Sequence, residues 1–149
     1  MALEIEHKYL VVNDSYRSMA ERKLEITQGY LSREPLCTVR VRIIDDRAFI
    51  TIKGQNQGDT RQEFEYDIPI DEAKSLLKLC QPGVIYKTRY LVNHQGNLWE
   101  VDEFHGRLDG LVVAEIEIPH SGHTYAKPPF VGENVTDDSR YYNSNLSKL

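Results

Sequence analysis

Glu4, Glu6 and Lys8 stand at i, i+2 and i+4 near the start of the chain, interleaved with Ile5 and His7. Successive side chains of a β-strand point to opposite faces, so this spacing puts both carboxylates and the ammonium on one side. Carboxylates held that close repel each other unless a cation lies between them, and oxygen ligands suit a hard ion such as Mg²⁺ or Mn²⁺. The device recurs along the chain. Arg40/Arg42 and Lys87/Arg89 are basic pairs at i, i+2, joined by Lys53, and Glu63/Glu65, Glu100/Asp102 and Glu115/Glu117 are acidic ones. Outward faces of antiparallel sheets ordinarily mix signs, whereas here whole stretches carry one sign. Pointing into a closed barrel, they would grip a polyanion on basic strands and hold divalent ions on acidic ones. Pointing outward, they would be a solvated surface over an apolar core, and alternation alone leaves both arrangements open.

The elements that must position these groups are mostly strands. Period-2 alternation marks residues 3–12, 24–31, 37–45, 47–53, 61–68, 84–92, 98–104 and 111–118, about eight strands at meander or barrel spacing. Asp45-Asp46 makes a hairpin of the third and fourth. Asn13 and Asp14 are expected to cap a short helix running to about residue 23. Residues 71–80 read as a helix with an apolar stripe of Ala73, Leu76, Leu77 and Cys80, stopped by Pro82-Gly83. Thr136 is expected to cap a C-terminal helix with Asp137 and Asp138 in its first turn.

The totals narrow the class. The 149 residues fit one domain, residues 1–149, with a proper core, and the net charge of −5 argues against broad nucleic-acid binding. Cys37 and Cys80 have neither metal-ligand spacing nor a disulfide framework, which fits a reducing cytoplasm. The chain opens on strand pattern without an apolar leader, and no apolar run approaches the roughly 20 residues of a membrane span. No membrane association is expected. His120 and His123 have no evident further metal ligand.

Glu4-x-Glu6-x-Lys8 resembles the ExExK signature of the CYTH family, the triphosphate tunnel metalloenzymes. The resemblance continues in order through Gln28-Gly29-Tyr30-Leu31, Arg40-x-Arg42, Thr51-x-Lys53, Arg61-x-Glu63-x-Glu65, Lys87-x-Arg89-Tyr90, Glu100-x-Asp102 and Glu115-x-Glu117. It ends in Val135-Thr136 and Arg140-Tyr141-x-Asn143, spanning essentially the whole chain. It implies a mainly β (α+β) fold, a closed eight-stranded antiparallel tunnel with a few short flanking helices and the charged faces inside. The implied activity is divalent-metal-dependent hydrolysis of inorganic triphosphate to pyrophosphate and phosphate, with two Mg²⁺ or Mn²⁺ ions. Thiamine triphosphatase and class IV adenylyl cyclase are the alternatives within the family; a noncatalytic polyphosphate- or nucleotide-binding module is the alternative outside it. Lys8, Arg40, Arg42, Lys53, Arg61, Lys87, Arg89 and Arg140 are the implied substrate contacts. Glu4, Glu6, Asp102, Glu115 and Glu117 are the implied metal ligands, with Tyr30 helping to orient phosphate or water. Glu63, Glu65 and Glu100 would support them. The few helices leave outward apolar faces such as Ile5, Val39 and Ile52 to be covered, so a homodimer is expected.

Overall fold

The computed structural model describes residues 3–149. Nine antiparallel strands form one sheet: β1 (Leu3–Val11), β2 (Arg22–Glu34), β3 (Cys37–Ile44), β4 (Arg47–Gly54), β5 (Thr60–Ile68), β6 (Ile85–His94), β7 (Asn97–Phe104), β8 (Val112–Glu117) and β9 (Val131–Asn134). Their order is β5-β4-β3-β2-β6-β7-β8-β1-β9, and β5 also pairs with β1 through Leu3↔Gln62, Glu4↔Arg61 and Ile5↔Thr60. That last pairing closes β1 to β8 into the expected eight-stranded barrel. The ninth strand continues the edge of β1 where β5 leaves it. Four residues that follow a Pro-Pro break and include Gly132 are too few to display alternation, so β9 is invisible to a periodicity reading. Gly132 lets β9 approach β1 closely: a Cβ would stand 2.5 Å from Val12 Cγ1 and 3.1 Å from the Leu10 carbonyl oxygen.

The barrel resolves which way the charges point. Glu4, Lys8, Arg40, Arg42, Lys87, Arg89, Asp102 and Glu115 are all buried, while the apolar residues alternating with them face outward into two packed clusters. A third cluster, with Ile85, Phe104 and Val113 on the same strand faces as Lys87, Asp102 and Glu115, fills one end of the barrel. Helix α1 (Tyr16–Met19) and the chain after β8 cover Tyr9, Trp99, Val101 and Ile116 on one wall. Helix α2 (Ile70–Leu79) lays Ala73 and Leu77 on Val41 and Ala48. Leu146 of α3 (Asn143–Leu146) packs on Ile85, Phe104 and Val113. Burial of this kind contributes about 1.5–3 kcal/mol per large aliphatic side chain, which holds the helices to the barrel.

Two helices differ from expectation. The first is four residues, not ten, because β2 begins at Arg22 and pairs with Leu91 of β6; the sheet ladder takes residues a helix would have used. Its N-cap is Ser15, and the Asn13 carboxamide oxygen accepts from the Ser15 amide instead. At the C-terminus Thr136 caps no helix. Its hydroxyl accepts the Lys8 amide at 3.0 Å and donates to Asn134 Oδ1, and helical turns follow only at Ser139–Tyr141 and in α3.

Candidate active site

Two cavities inside the barrel share Glu4, Glu6, Arg40, Arg42, Lys53 and Glu115 in their linings, so they form one passage that narrows at those residues. One half is lined by Tyr30, Thr38 and Arg61 and is capped by Tyr142, Asn143 and Ser144. The other half carries Glu63, Glu65, Arg89, Glu100 and Glu117. Strand register explains this composition. Glu6 lies directly opposite Glu117, and Glu100 opposite Glu115. Like charges in register destabilise a sheet unless something compensates them.

For Glu4, Glu6 and Glu117 the compensation is incomplete. One carboxylate oxygen of each lies within 4.8 Å of the others. Burial pushes the Glu6 carboxyl well above its ordinary value, and the Glu115 and Glu4 charges add to that. Burial, then Glu4, Glu100 and Glu63, push Glu117 up to about 7. Glu4 is also raised, chiefly by burial, although Lys53 Nζ donates to both its oxygens at 2.9 and 3.1 Å. A divalent cation would relieve all three at once, and three carboxylates at this separation suit a hard ion. The residues fit the metal that the sequence implies.

The basic wall faces the same passage. Arg40 Nη2 donates to Thr51 Oγ1 at 3.1 Å and lies 3.6 Å from Glu65, while its buried Nε has no partner. Arg42 Nε donates to Gln28 Oε1 at 2.8 Å; burial, with Arg40 and Arg89 nearby, pushes that guanidinium down to about 9. Arg61 is held by the Gly54 carbonyl at 3.0 Å and still lines the capped half. Burial and Arg40 work against the charge on Lys53, yet Glu4, Glu6 and Glu63 hold its value above the ordinary one. Lys8 Nζ donates to the Tyr141 carbonyl at 3.0 Å and lies 3.7 Å from Glu115. Cationic groups crowded in a buried wall are a prepared seat for phosphate oxygens.

Three expected site residues are placed otherwise. Asp102 does not join the acidic cluster. It accepts from Arg89 Nε and Nη2 at 2.7 and 2.9 Å and from Lys87 Nζ at 2.7 Å, so both oxygens are taken by cations. The Arg89 and Lys87 charges outweigh its burial and hold it below the ordinary carboxylate range. Lys87 does not line the passage either; it is buried between Asp102, the Asn143 side chain at 3.2 Å and the Phe104 ring, and burial pushes it down to about 7. Arg140 lies outside, paired with Asp138 two residues before it. Glu115 sits between the two groups, 3.7 Å from Lys8, and Lys8, Arg89 and Lys87 outweigh its burial to hold it far below its usual range.

Several groups that the sequence names only within motifs, or not at all, take part in the site. Thr51 is fully buried between Arg40 and Glu65, donating to Glu65 at 2.9 Å; its place on the Lys53 face was the available signal. Gln28 and Asn143 form a chain from the C-terminal cap to Arg42, since Asn143 Oδ1 accepts from Gln28 Nε2 at 3.1 Å. Asn56 and Asp59 enter the lining from the loop between β4 and β5, and Tyr142 and Ser144 from the N-cap and first turn of α3, none of them with a periodic signal.

Known proteins agree with this architecture. The family model described as CYTH domain matches residues 2–149. An inorganic triphosphatase of Acetivibrio thermocellus is 46% identical over 99% of this chain and 95% of its own length. One from Nitrosomonas europaea is 32% identical over 97% and 96%. A crystal structure of an inorganic triphosphatase superposes with a TM-score of 0.70 at 31% identity, covering 99% of this chain and 95% of that one. Matched from residue 2 to its last residue, and built as a closed barrel with its charges turned inward, the chain belongs to the CYTH domain family.

Proposed function

We propose that this protein hydrolyses inorganic triphosphate to pyrophosphate and phosphate in a divalent-metal-dependent reaction inside the barrel. The observation that carries the reading is the opposition, across one narrow passage, of the Glu4–Glu6–Glu117 cluster to a wall of buried cations that includes an unpartnered Arg40 Nε. The names of the relatives support the same substrate. Arg40, Arg42, Lys53 and Arg61 bind the phosphate chain along the passage, and Lys8 reaches it by exchanging the Tyr141 carbonyl for a phosphate oxygen. Arg89, fixed at both ends by Asp102 and Glu100, presents a preorganised charge on the far half. Tyr30 lines the capped half and orients a terminal phosphate. Glu4, Glu6 and Glu117 would hold a Mg²⁺ or Mn²⁺ ion, with Glu63, Glu65 and Glu100 in the same half as support for a second. The ions supply charge neutralisation at phosphate oxygens and a more acidic water. Hydrolysis adds one water across a P–O–P bridge: its oxygen bonds to phosphorus, the bridging P–O bond breaks with its electron pair on the departing product, and the water's protons pass to product oxygens or to solvent. Among the described residues the lining of the capped half is charged or polar apart from Gly58 and the Tyr30 and Tyr142 rings, which supports the bare polyanion.

The test is phosphate release from tripolyphosphate, ATP and thiamine triphosphate side by side, with Mg²⁺, Mn²⁺ or EDTA, and cyclic AMP measured in the ATP tubes. Chelator-sensitive turnover of tripolyphosphate above the other two is expected. Preference for an organic triphosphate, or cyclic AMP formation, would replace the substrate named here. A homodimer is part of the same proposal, supported by Phe64 and Tyr66 standing exposed on the outward face of β5.

A further inference from the structure

The edge of β1 that faces away from β8 changes partner at the functional residues. Leu3, Glu4 and Ile5 pair with β5, and Tyr9 and Val11 with β9. Between them, at residues 6–8, neither strand continues. Three isolated bonds stand in: the Glu6 amide donates to the Asp59 carbonyl at 3.2 Å, the Lys8 amide to Thr136 Oγ1 at 3.0 Å, and the Val135 amide to the Lys8 carbonyl at 2.8 Å. Glu6 and Lys8 line the passage, whereas His7 between them lines a cleft on the outside of the barrel. There His7 Nε2 is 2.8 Å from Asp59 Oδ2 and Nδ1 is 2.6 Å from the Tyr125 hydroxyl, which in turn meets the Tyr9 hydroxyl. Ser121 Oγ donates to the other Asp59 oxygen at 2.8 Å. One proton assignment satisfies every member: Tyr9 donates to Tyr125, Tyr125 to Nδ1, and the Nε2–H tautomer of His7 to the carboxylate. Asp59 is thus held by its side chain while its carbonyl holds the amide of Glu6.

We propose that His7 is a positioning residue for Glu6: with Asp59 and Tyr125 it fixes the edge of β1 that neither β5 nor β9 covers at residues 6–8, and so holds the Glu6 carboxylate in place beside Glu4 and Glu117. The proposal rests on reading those three carboxylates as the metal site. On its other edge β1 stays paired with β8 through Glu6↔Glu117, His7↔Ile116 and Lys8↔Glu115; on this edge the ladder is interrupted, and there the side-chain network is the restraint. A hydrogen bond to an ionised carboxylate is among the stronger ones available for that purpose. Sites whose supporting groups are loosened by even about 1 Å lose affinity for their ligand.

The experiment is titration of Mn²⁺ into the full-length protein, reading free Mn²⁺ by electron paramagnetic resonance, for wild type, His7→Ala and His7→Gln, with melting in EDTA alongside. His7→Ala is expected to weaken Mn²⁺ binding about tenfold, the scale seen when a group behind a metal ligand is removed. His7→Gln retains an N–H for Asp59 and an acceptor for Tyr125, and is expected to return to within about threefold of wild type. A folded His7→Ala protein with affinity within about twofold of wild type, whatever its melting temperature, overturns the proposal. If His7→Ala does not fold, Tyr125→Phe carries the test, with binding expected about threefold weaker and unchanged binding overturning it. Wild type that binds no Mn²⁺ would overturn the metal-site reading itself, a result distinct from tight binding that ignores residue 7.

Discussion

Asp102→Asn separates the two roles open to this carboxylate. As a counter-ion it serves Arg89 through two bonds of 2.7 and 2.9 Å and Lys87 through one of 2.7 Å, with all three side chains buried. At about 3 Å and an effective dielectric near 20, each such pair carries on the order of 5 kcal/mol of gross attraction, most of it spent against desolvation. Breaking a buried pair leaves the uncompensated partner's desolvation, about 3–5 kcal/mol. Lys87 can escape by releasing its proton, since burial already pushes it down to about 7. Arg89 has no such escape and retains only Glu100, at 3.1 Å. The cost is therefore expected near the lower end, about 3 kcal/mol, or about 6–12 °C in melting temperature for a chain of this length. The assay is urea or thermal unfolding at pH 7 in EDTA, where no metal contributes. A loss under about 1 kcal/mol in EDTA, combined with Mn²⁺ affinity reduced more than about tenfold, would refute the counter-ion account and return Asp102 to the metal ligands.

Other consequences can be checked separately. Glu117 is raised to about 7 in the fold against 4.5 ordinarily, so folding takes up a proton there between those values; its contribution is full below the lower value and lost as pH rises through the higher one. In EDTA, Glu117→Gln should therefore gain melting temperature relative to wild type between pH 5 and pH 8, and a difference independent of pH would contradict the crowding of these carboxylates. Arg40→Leu should raise KM for tripolyphosphate about tenfold or more, the scale of one charged hydrogen bond, while leaving Mn²⁺ affinity in place; an unchanged KM would remove Arg40 from the substrate wall. Sedimentation should give twice the 17.2 kDa chain mass, reverting to one chain with Phe64→Glu and Tyr66→Glu together; a wild-type monomer would end the dimer proposal.

Strands carrying alternating charge were legible because a period of two is all that a strand imposes, and Arg40-x-Arg42 or Glu115-x-Glu117 needs no tertiary knowledge to be seen. The direction of those faces was not, since alternation is symmetric; closure of β5 on β1 decides it, and that pairing spans three residues. Asp102 looked like a ligand because a carboxylate beside Glu100 has the right chemistry. Register sets it opposite Arg89 on the next strand, which is the observation behind the counter-ion role that Asp102→Asn tests. Lys87 likewise meets Asp102 and Asn143 rather than the passage, a placement that its strand alternation does not display. The β9 strand was illegible because four residues are too few to show alternation, and the Asp59 loop and the C-terminal cap because their places come from side-chain bonds to distant residues, such as His7 with Asp59 and Asn143 with Gln28. Arg140 was the exception: an acid two residues away was enough to satisfy it locally.

The central claim is that the acidic cluster serves turnover and not merely the balance of a phosphate-binding wall. Replacing Glu4 and Glu6 together with Gln, and measuring tripolyphosphate turnover and tripolyphosphate binding on the same preparation, tests it most directly. Turnover should fall by at least about a hundredfold, as expected when metal ligands are lost, while anion binding in EDTA holds or strengthens with two negative charges removed. Turnover that survives the double replacement, or a wild-type protein that binds tripolyphosphate and never cleaves it, would contradict the account.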